Sequence, residues 1–202
     1  MKKTIIAATM ALGMGLSAMA QSTNPLLERR YNTPYEIPPF EKITTDNYRE
    51  AFLRGMEEQK KEIDAIVNNA EAPTFQNTIV ALDRSGQLLN RTAGVFYGLS
   101  RSCSTPELQN LESELSPLLS AHSDYMNMNE GLFLRVKAVY DGQDKLNLNT
   151  EERRLLEKTY KGFVRGGAML DDAKKQRRSE INQQLAKLQL QFNQNLMHDT
   201  NN

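Results

Sequence analysis

Residues 44–67 read TTDNYREAFLRGMEEQKKEIDAIV, and this stretch decides the fold class. Thr44 and Thr45 offer a side-chain oxygen for the first unpaired backbone N–H groups of a helix, and Asp46 suits its positive end. Apolar residues then recur at Tyr48, Phe52, Met56, Ile63, Ile66 and Val67, a stripe of helical period. Glu57 and Glu58 lie four and three residues before Lys61, the spacing of ion pairs on an exposed helical face. Ala72-Pro73 ends the pattern, because proline disfavours helix at the residue before it.

The same grammar repeats downstream. Thr74 caps a second helix carrying Phe75, Ile79, Leu82, Leu89, Val95, Phe96 and Leu99, with a bend expected at Gly86. Thr105-Pro106-Glu107 opens a third with a cap, a proline in the first turn and an acid on the dipole. Its stripe is Leu108, Leu111, Leu115, Leu118, Leu119, His122 and Tyr125, with a kink expected at Pro117. Asn129 starts a fourth, through Leu132, Phe133, Val136, Val139 and Tyr140 to Gly142. Thr150-Glu151-Glu152 starts a fifth, with Leu155, Leu156, Thr159 and Phe163, closed by Gly166-Gly167. Asp171-Asp172 opens a sixth, whose Ile181, Leu185, Leu188, Phe192 and Leu196 or Asn195 follow a 4-3-4-3 spacing. No sustained alternation of β-branched residues marks a strand. The expectation is an all-α fold of about six mostly antiparallel helices joined by short loops.

Upstream of the helices, residues 21–44 carry Pro25, Pro34, Pro38 and Pro39, and read as an extended arm pinned to the helices by Tyr31, Tyr35, Ile37 and Phe40. Residues 1–20 have the build of an export signal. Lys2-Lys3 is followed by the uncharged run Thr4 to Leu16, and Ala18-Met19-Ala20 has the small-x-small spacing of a cleavage site. The run is shorter than the roughly 20 residues that span a bilayer. A periplasmic or secreted product beginning at Gln21 is expected. Residues 45–202 form the helical lobe, and the sixth stripe, reaching Leu196, gives the chain the look of one that stops before a further region.

The chain has 25 basic and 25 acidic side chains. Without Lys2 and Lys3 the balance is 23 against 25, which lacks the basic excess that nucleic acid or an anionic membrane demands. Cys103 is the single cysteine, so no disulfide forms within the chain, and it reads as a small residue near a helix end.

The candidates for chemistry are few. His122 and His198 lie far apart with no H-E-x-x-H or Cys cluster, whereas catalytic zinc takes about three protein ligands at one point. They read as an interfacial and a terminal histidine. No G-x-S-x-G is present. Glu112 with Glu114, and Asp171 with Asp172, read as solvated or dipole-facing charges. Gly94 to Gly98 and Gly162 to Gly166 each match G-x-x-x-G, and with Arg91, Arg101 and Arg165 nearby they read as close packing between soluble helices. Lys174-Lys175-Gln176-Arg177-Arg178 reads as a solvated face, and the acceptor pattern Asn90-Arg91-Thr92 falls inside a helix. No catalytic, cofactor-binding or metal residue is assigned.

Five segments in order carry a resemblance: Asn24-Pro25-Leu26-Leu27; Pro39-Phe40-Glu41-Lys42-Ile43-Thr44; Pro73-Thr74-Phe75-Gln76-Asn77-Thr78-Ile79; Ser116-Pro117-Leu118-Leu119-Ser120-Ala121-His122; and Phe163-Val164-Arg165-Gly166-Gly167-Ala168-Met169-Leu170. Together they resemble the N-terminal part of the zinc oligopeptidases of the thimet oligopeptidase and peptidyl-dipeptidase (dipeptidyl carboxypeptidase) family, in the bacterial peptidyl-dipeptidase form. The resemblance implies an almost all-helical, two-lobed enzyme whose deep channel admits short unfolded peptides. It also implies a zinc held by an H-E-x-x-H helix and a downstream glutamate, in a later region that this sequence does not contain. No functional residue carries over, and zinc is expected of the full-length enzyme only. The stretch would be one channel wall, inactive without a C-terminal catalytic lobe. The rival reading is a free-standing exported helical binding module or adaptor.

Overall fold

The computed structural model describes residues 24–200, so the signal segment and its cleavage site lie outside the described residues. Seven helices follow one another: α1 Thr45–Val67, α2 Ala81–Asp83, α3 Gln87–Ser102, α4 Pro106–Asn127, α5 Glu130–Asp141, α6 Thr150–Arg165 and α7 Asp172–Thr200. No strand occurs among the described residues. The all-α class read from the stripes is the observed one.

Reciprocal caps set three of the starts. Thr44 Oγ1 accepts from Asn47 N at 3.2 Å while Asn47 Oδ1 accepts from Thr44 N at 3.0 Å. Thr74 and Asn77 repeat the device, and Asn149 with Glu152 does so for α6, placing that cap one residue before the Thr150 expected. The expected second helix is broken instead of bent. Phe75–Val80 is a wide π-helical turn running into α2, and Gly86, at φ 71°, then sits in the left-handed region before α3 starts afresh.

The arm also departs from expectation. It makes three short 3₁₀ turns, Pro25–Leu27, Pro34–Glu36 and Phe40–Lys42. Leu26 and Tyr31 are buried, and Asn24 Nδ2 donates to Asn47 O at 2.9 Å and Glu50 Oε2 at 3.0 Å. Tyr35, Ile37 and Phe40, expected to pin the arm, are exposed. Arg91 does that work, donating to Leu26 O at 3.0 Å and Arg29 O at 3.2 Å.

Two apolar clusters share α1 as a spine. Its first half, Tyr48, Ala51, Phe52 and Met56, packs with Leu26, with Leu89 and Phe96 of α3, and with Leu108, Leu111 and Leu115 of α4. Phe96 meets Tyr48 and Phe52 edge-on at 5.2 and 5.4 Å between ring centres. Its second half, Ile63 and Ile66, packs with Phe75, Ile79, the inward face of α5, and Leu156 and Phe163 of α6. Arg135 staples the loop after α1 to α5, donating to Asn69 O at 2.9 Å, twice to Glu71 O at 3.2 Å, and to Asn77 Oδ1 at 3.3 Å.

The G-x-x-x-G reading is corrected at three of its four glycines; at Gly166 an added side-chain carbon would lie 2.9 Å from Asn127 Cβ, so that glycine does pack closely against the end of α4. A side-chain carbon added at Gly94, Gly98 or Gly162 would meet nothing within 4 Å, so these glycines mediate no close packing. A close approach of backbones is at Gly55, where such a carbon would lie 2.9 Å from the Leu89 backbone. There α1 and α3 nearly touch.

Candidate functional site

A polar layer lies between the two clusters, where Gln59 stands on α1 between Met56 and Ile63. His122 Nε2 is 2.7 Å from Gln59 Oε1, Gln59 Nε2 is 3.3 Å from Ser85 Oγ, and Ser85 Oγ is 2.8 Å from Leu82 O. The proton directions follow from the end of the chain. Leu82 O can only accept, so Ser85 donates to it and accepts from the Gln59 amide, which turns Oε1 toward the imidazole. His122 therefore carries its proton on Nε2, and the buried Nδ1 has no partner among the described residues. Burial, helped by the charge of Lys60, holds the His122 pKa below the usual imidazole range. Glu62 closes the layer by accepting from Gly86 N at 2.7 Å.

The neighbouring groups are held in fixed states. Tyr125 donates to Asp64 Oδ1 at 2.7 Å, and this bond together with burial pushes the phenol up to about 12. Lys60 Nζ stands 5.4 Å from the Tyr125 ring centre. A neutral imidazole, an amide, a hydroxyl and a locked phenol join helices. They present no activated nucleophile.

The other singled-out residues scatter. His198 is exposed near the end of α7, its Nδ1 3.6 Å from Asp199. Cys103 is exposed and caps α3, in keeping with a small residue at a helix end. Glu114 is bound by Arg49 through contacts of 2.9 to 3.1 Å, and its carboxyl is held below the usual range. Glu112, expected to be solvated, is partly buried and its pKa is raised by desolvation. Asp171 Oδ1 accepts from Lys174 N at 2.9 Å, a cap at the start of α7. Lys174 pairs with Asp171 and Arg177 with Glu180. Thr92 of the acceptor pattern is fully buried. Among the described residues no group of three or more His, Cys, Asp or Glu side chains could hold a metal ion, so these residues do not fit a zinc site. No described helix is long and apolar enough to cross a membrane.

The surface of α7 is the most unusual feature. This helix has no buried residue. It lies against α4 with half-buried Ala186 and Leu190 among polar groups on that side, Asn182 Nδ2 donating to Asp124 Oδ1 at 2.7 Å and Gln194 Nε2 reaching Ser113 Oγ at 3.5 Å. Ile181, Leu185, Leu188, Phe192 and Leu196 point away and are 46 to 66% exposed. From Ile181 to Met197 the only charged side chain is Lys187; the other polar residues are Asn and Gln. A helix facing water alone carries charge on its outer side. This one shows the composition of a covered interface.

No family model matches the chain. Curated proteins do. It is 40% identical to the dipeptidyl carboxypeptidase of Salmonella typhimurium over 176 residues, 87% of this chain and 26% of the relative. It is 38% identical to the Escherichia coli dipeptidyl carboxypeptidase over 174 residues, 86% of this chain and 25% of the relative. Oligopeptidase A of Escherichia coli is 28% identical over 178 residues, 88% of this chain and 25% of the relative. The chain spans about a quarter of the length of the curated relatives it matches.

Proposed function

From the premise that this chain is a relative of the bacterial dipeptidyl carboxypeptidases and of oligopeptidase A, we propose that it is the helical channel-wall portion of an exported zinc peptidase that removes dipeptides from the C-termini of short peptides. The identity of 40% across nearly nine tenths of the chain carries the reading. The zinc and its catalytic base belong, on this reading, to the rest of the full-length enzyme, because the residues here do not fit them. What this portion contributes is shape. The outward face of α7, apolar and almost uncharged, would dock on the catalytic part and hold the two-core lobe as a wall that excludes folded substrates. The signal-like residues 1–20 support export.

The test is a chimera in which this chain replaces the matching quarter of the Salmonella dipeptidyl carboxypeptidase. Release of C-terminal dipeptides from an N-blocked peptide, abolished by a chelator and by Leu188→Glu with Phe192→Glu, is the expected result. A soluble, folded chimera without that activity overturns the proposal. For export, the intact mass of the product recovered outside the cytoplasm should begin at Gln21; retention of Met1 to Ala20 on the soluble product refutes it.

A further inference from the structure

Several charges on the helix surfaces are matched by a neighbour of opposite sign three or four residues away, as in Arg54–Glu58, Lys61–Glu57, Arg154–Glu157 and Arg177–Glu180. One place gathers arginines that lack such partners. A cavity of about 470 Å³ lies where the arm, α1 and the start of α3 meet, and Arg29, Arg54, Arg84 and Arg91 line it with only Glu58 and Glu62. Arg54 and Glu58 cancel each other at 2.9 Å. Arg91 donates to main-chain carbonyls beside the Tyr31 hydroxyl and pairs with no carboxylate among the described residues. No carboxylate lies within 4.0 Å of the Arg29 or Arg84 guanidinium among the described residues. Glu62 is committed to the Gly86 N–H at 2.7 Å. Three uncompensated guanidiniums against one carboxylate leave an excess of two positive charges in one half-enclosed space of a chain whose overall charges balance.

We propose that this cavity binds a free, small, doubly charged oxyanion. Guanidinium forks match the paired oxygens of phosphate or carboxylate, and the local excess of two charges calls for a dianion. The cavity has room for a molecule larger than inorganic phosphate, so a small phosphate ester and a dicarboxylate are the two sources of the same chemistry. The adjoining first turn of α3 adds donors, since Gly86 has no side chain to cap it. The site is independent of the peptidase reading, because none of these residues lies on the outward face of α7.

The experiment is calorimetric titration of the purified chain with sodium phosphate and, separately, with sodium succinate, each against sodium chloride at matched ionic strength. Arg29→Gln and Arg84→Gln alter exposed side chains, and circular dichroism checks that both variants fold; Arg153→Gln on α6 is the control. Saturable one-to-one binding of at least one dianion is expected, weakened by roughly tenfold or more in each cavity variant and unchanged in the control. Phosphate without succinate identifies the phosphate source, and succinate without phosphate the dicarboxylate source. Binding of neither beyond the chloride response, or equal binding by the cavity variants and the wild type, overturns the proposal.

Discussion

Gln59 and His122 meet at 2.7 Å across the seam between two apolar clusters, and neither residue has a polar partner to spare. The amide is oriented by Ser85 and the imidazole is held in one tautomer, with Nδ1 buried and unpaired. A proton on Nδ1 would place a charge in that seam facing Lys60, with Tyr125 donating its own proton away to Asp64. The folded state therefore resists protonation. In the unfolded chain His122 titrates near its ordinary value of about 6.5. Below that pH the unfolded chain takes up a proton that the folded chain refuses, so stability falls as pH drops from about 6.5 until the folded imidazole protonates as well. Urea midpoints between pH 7 and pH 5 should decline, and His122→Gln should flatten the part of the decline that this residue causes. Unchanged slopes in the variant would refute the assignment.

Gly86→Ala tests the break between α2 and α3. The residue has φ 71°, and an added methyl would come within 2.3 Å of Gln59 Nε2. Left-handed backbone costs a non-glycine residue roughly 1–2 kcal/mol, and displacement of Gln59 would disturb its bond to His122 as well. A loss of about 2–4 kcal/mol in denaturant unfolding is expected.

Arg135→Ala should cost about 2–4 kcal/mol. The side chain is buried, and its removal leaves Asn69 O and Glu71 O without their donors while detaching the α1 exit from α5. Arg135→Lys should recover only part of the loss, because an ammonium cannot reproduce the fork. Full recovery by lysine would show that charge alone matters.

Glycine separates what was legible in the sequence from what was not. Helix periods and caps are local properties, so Thr44, Thr74, Thr105 and Asn129 announced their helices correctly and the stripes on α1, α4 and α5 mark the inward faces, except that Leu118 of the α4 stripe is exposed. The spacing Gly94-x-x-x-Gly98 carried no information, because the contact it stands for depends on a second helix, and none is there. Gly55 gave no local sign of its role, since the Leu89 backbone arrives from 34 positions away. The polar seam was hidden for the same reason: Gln59, Ser85 and His122 come from three segments. The arginine cavity likewise gathers side chains from the arm, α1 and α3. Gly94→Ala, Gly98→Ala and Gly162→Ala should each raise stability by about 0.5–1 kcal/mol, while Gly55→Ala should lower it. Thermal melts of the four variants give the answer directly.

The stripe on α7 behaves differently from every other stripe in the chain, and substitution there should show it. Ile181, Leu185, Leu188, Phe192 and Leu196 keep the 4-3-4-3 spacing of a packed helix, yet each is about half exposed or more. Full burial of such a side chain stabilises by roughly 1.5–3 kcal/mol, and little of that is realised in this arrangement. Leu188→Gln with Phe192→Gln should therefore leave the unfolding midpoint of the two-core region nearly unchanged, whereas Leu111→Gln or Leu132→Gln in the buried clusters should lower it sharply. The same pair should reduce concentration-dependent self-association in sedimentation, because an uncovered apolar face of this length seeks a partner. Hydrogen exchange adds the local readout. The amides of residues 185–200 should exchange faster than those of α1, since α7 has no buried residue and meets α4 through contacts such as Asn182–Asp124. Strong protection through Leu196 in a monodisperse monomer, with a large destabilisation on Leu188→Gln and Phe192→Gln, would mean that the stripe is already buried within the chain. It would also remove the docking face from the proposed function.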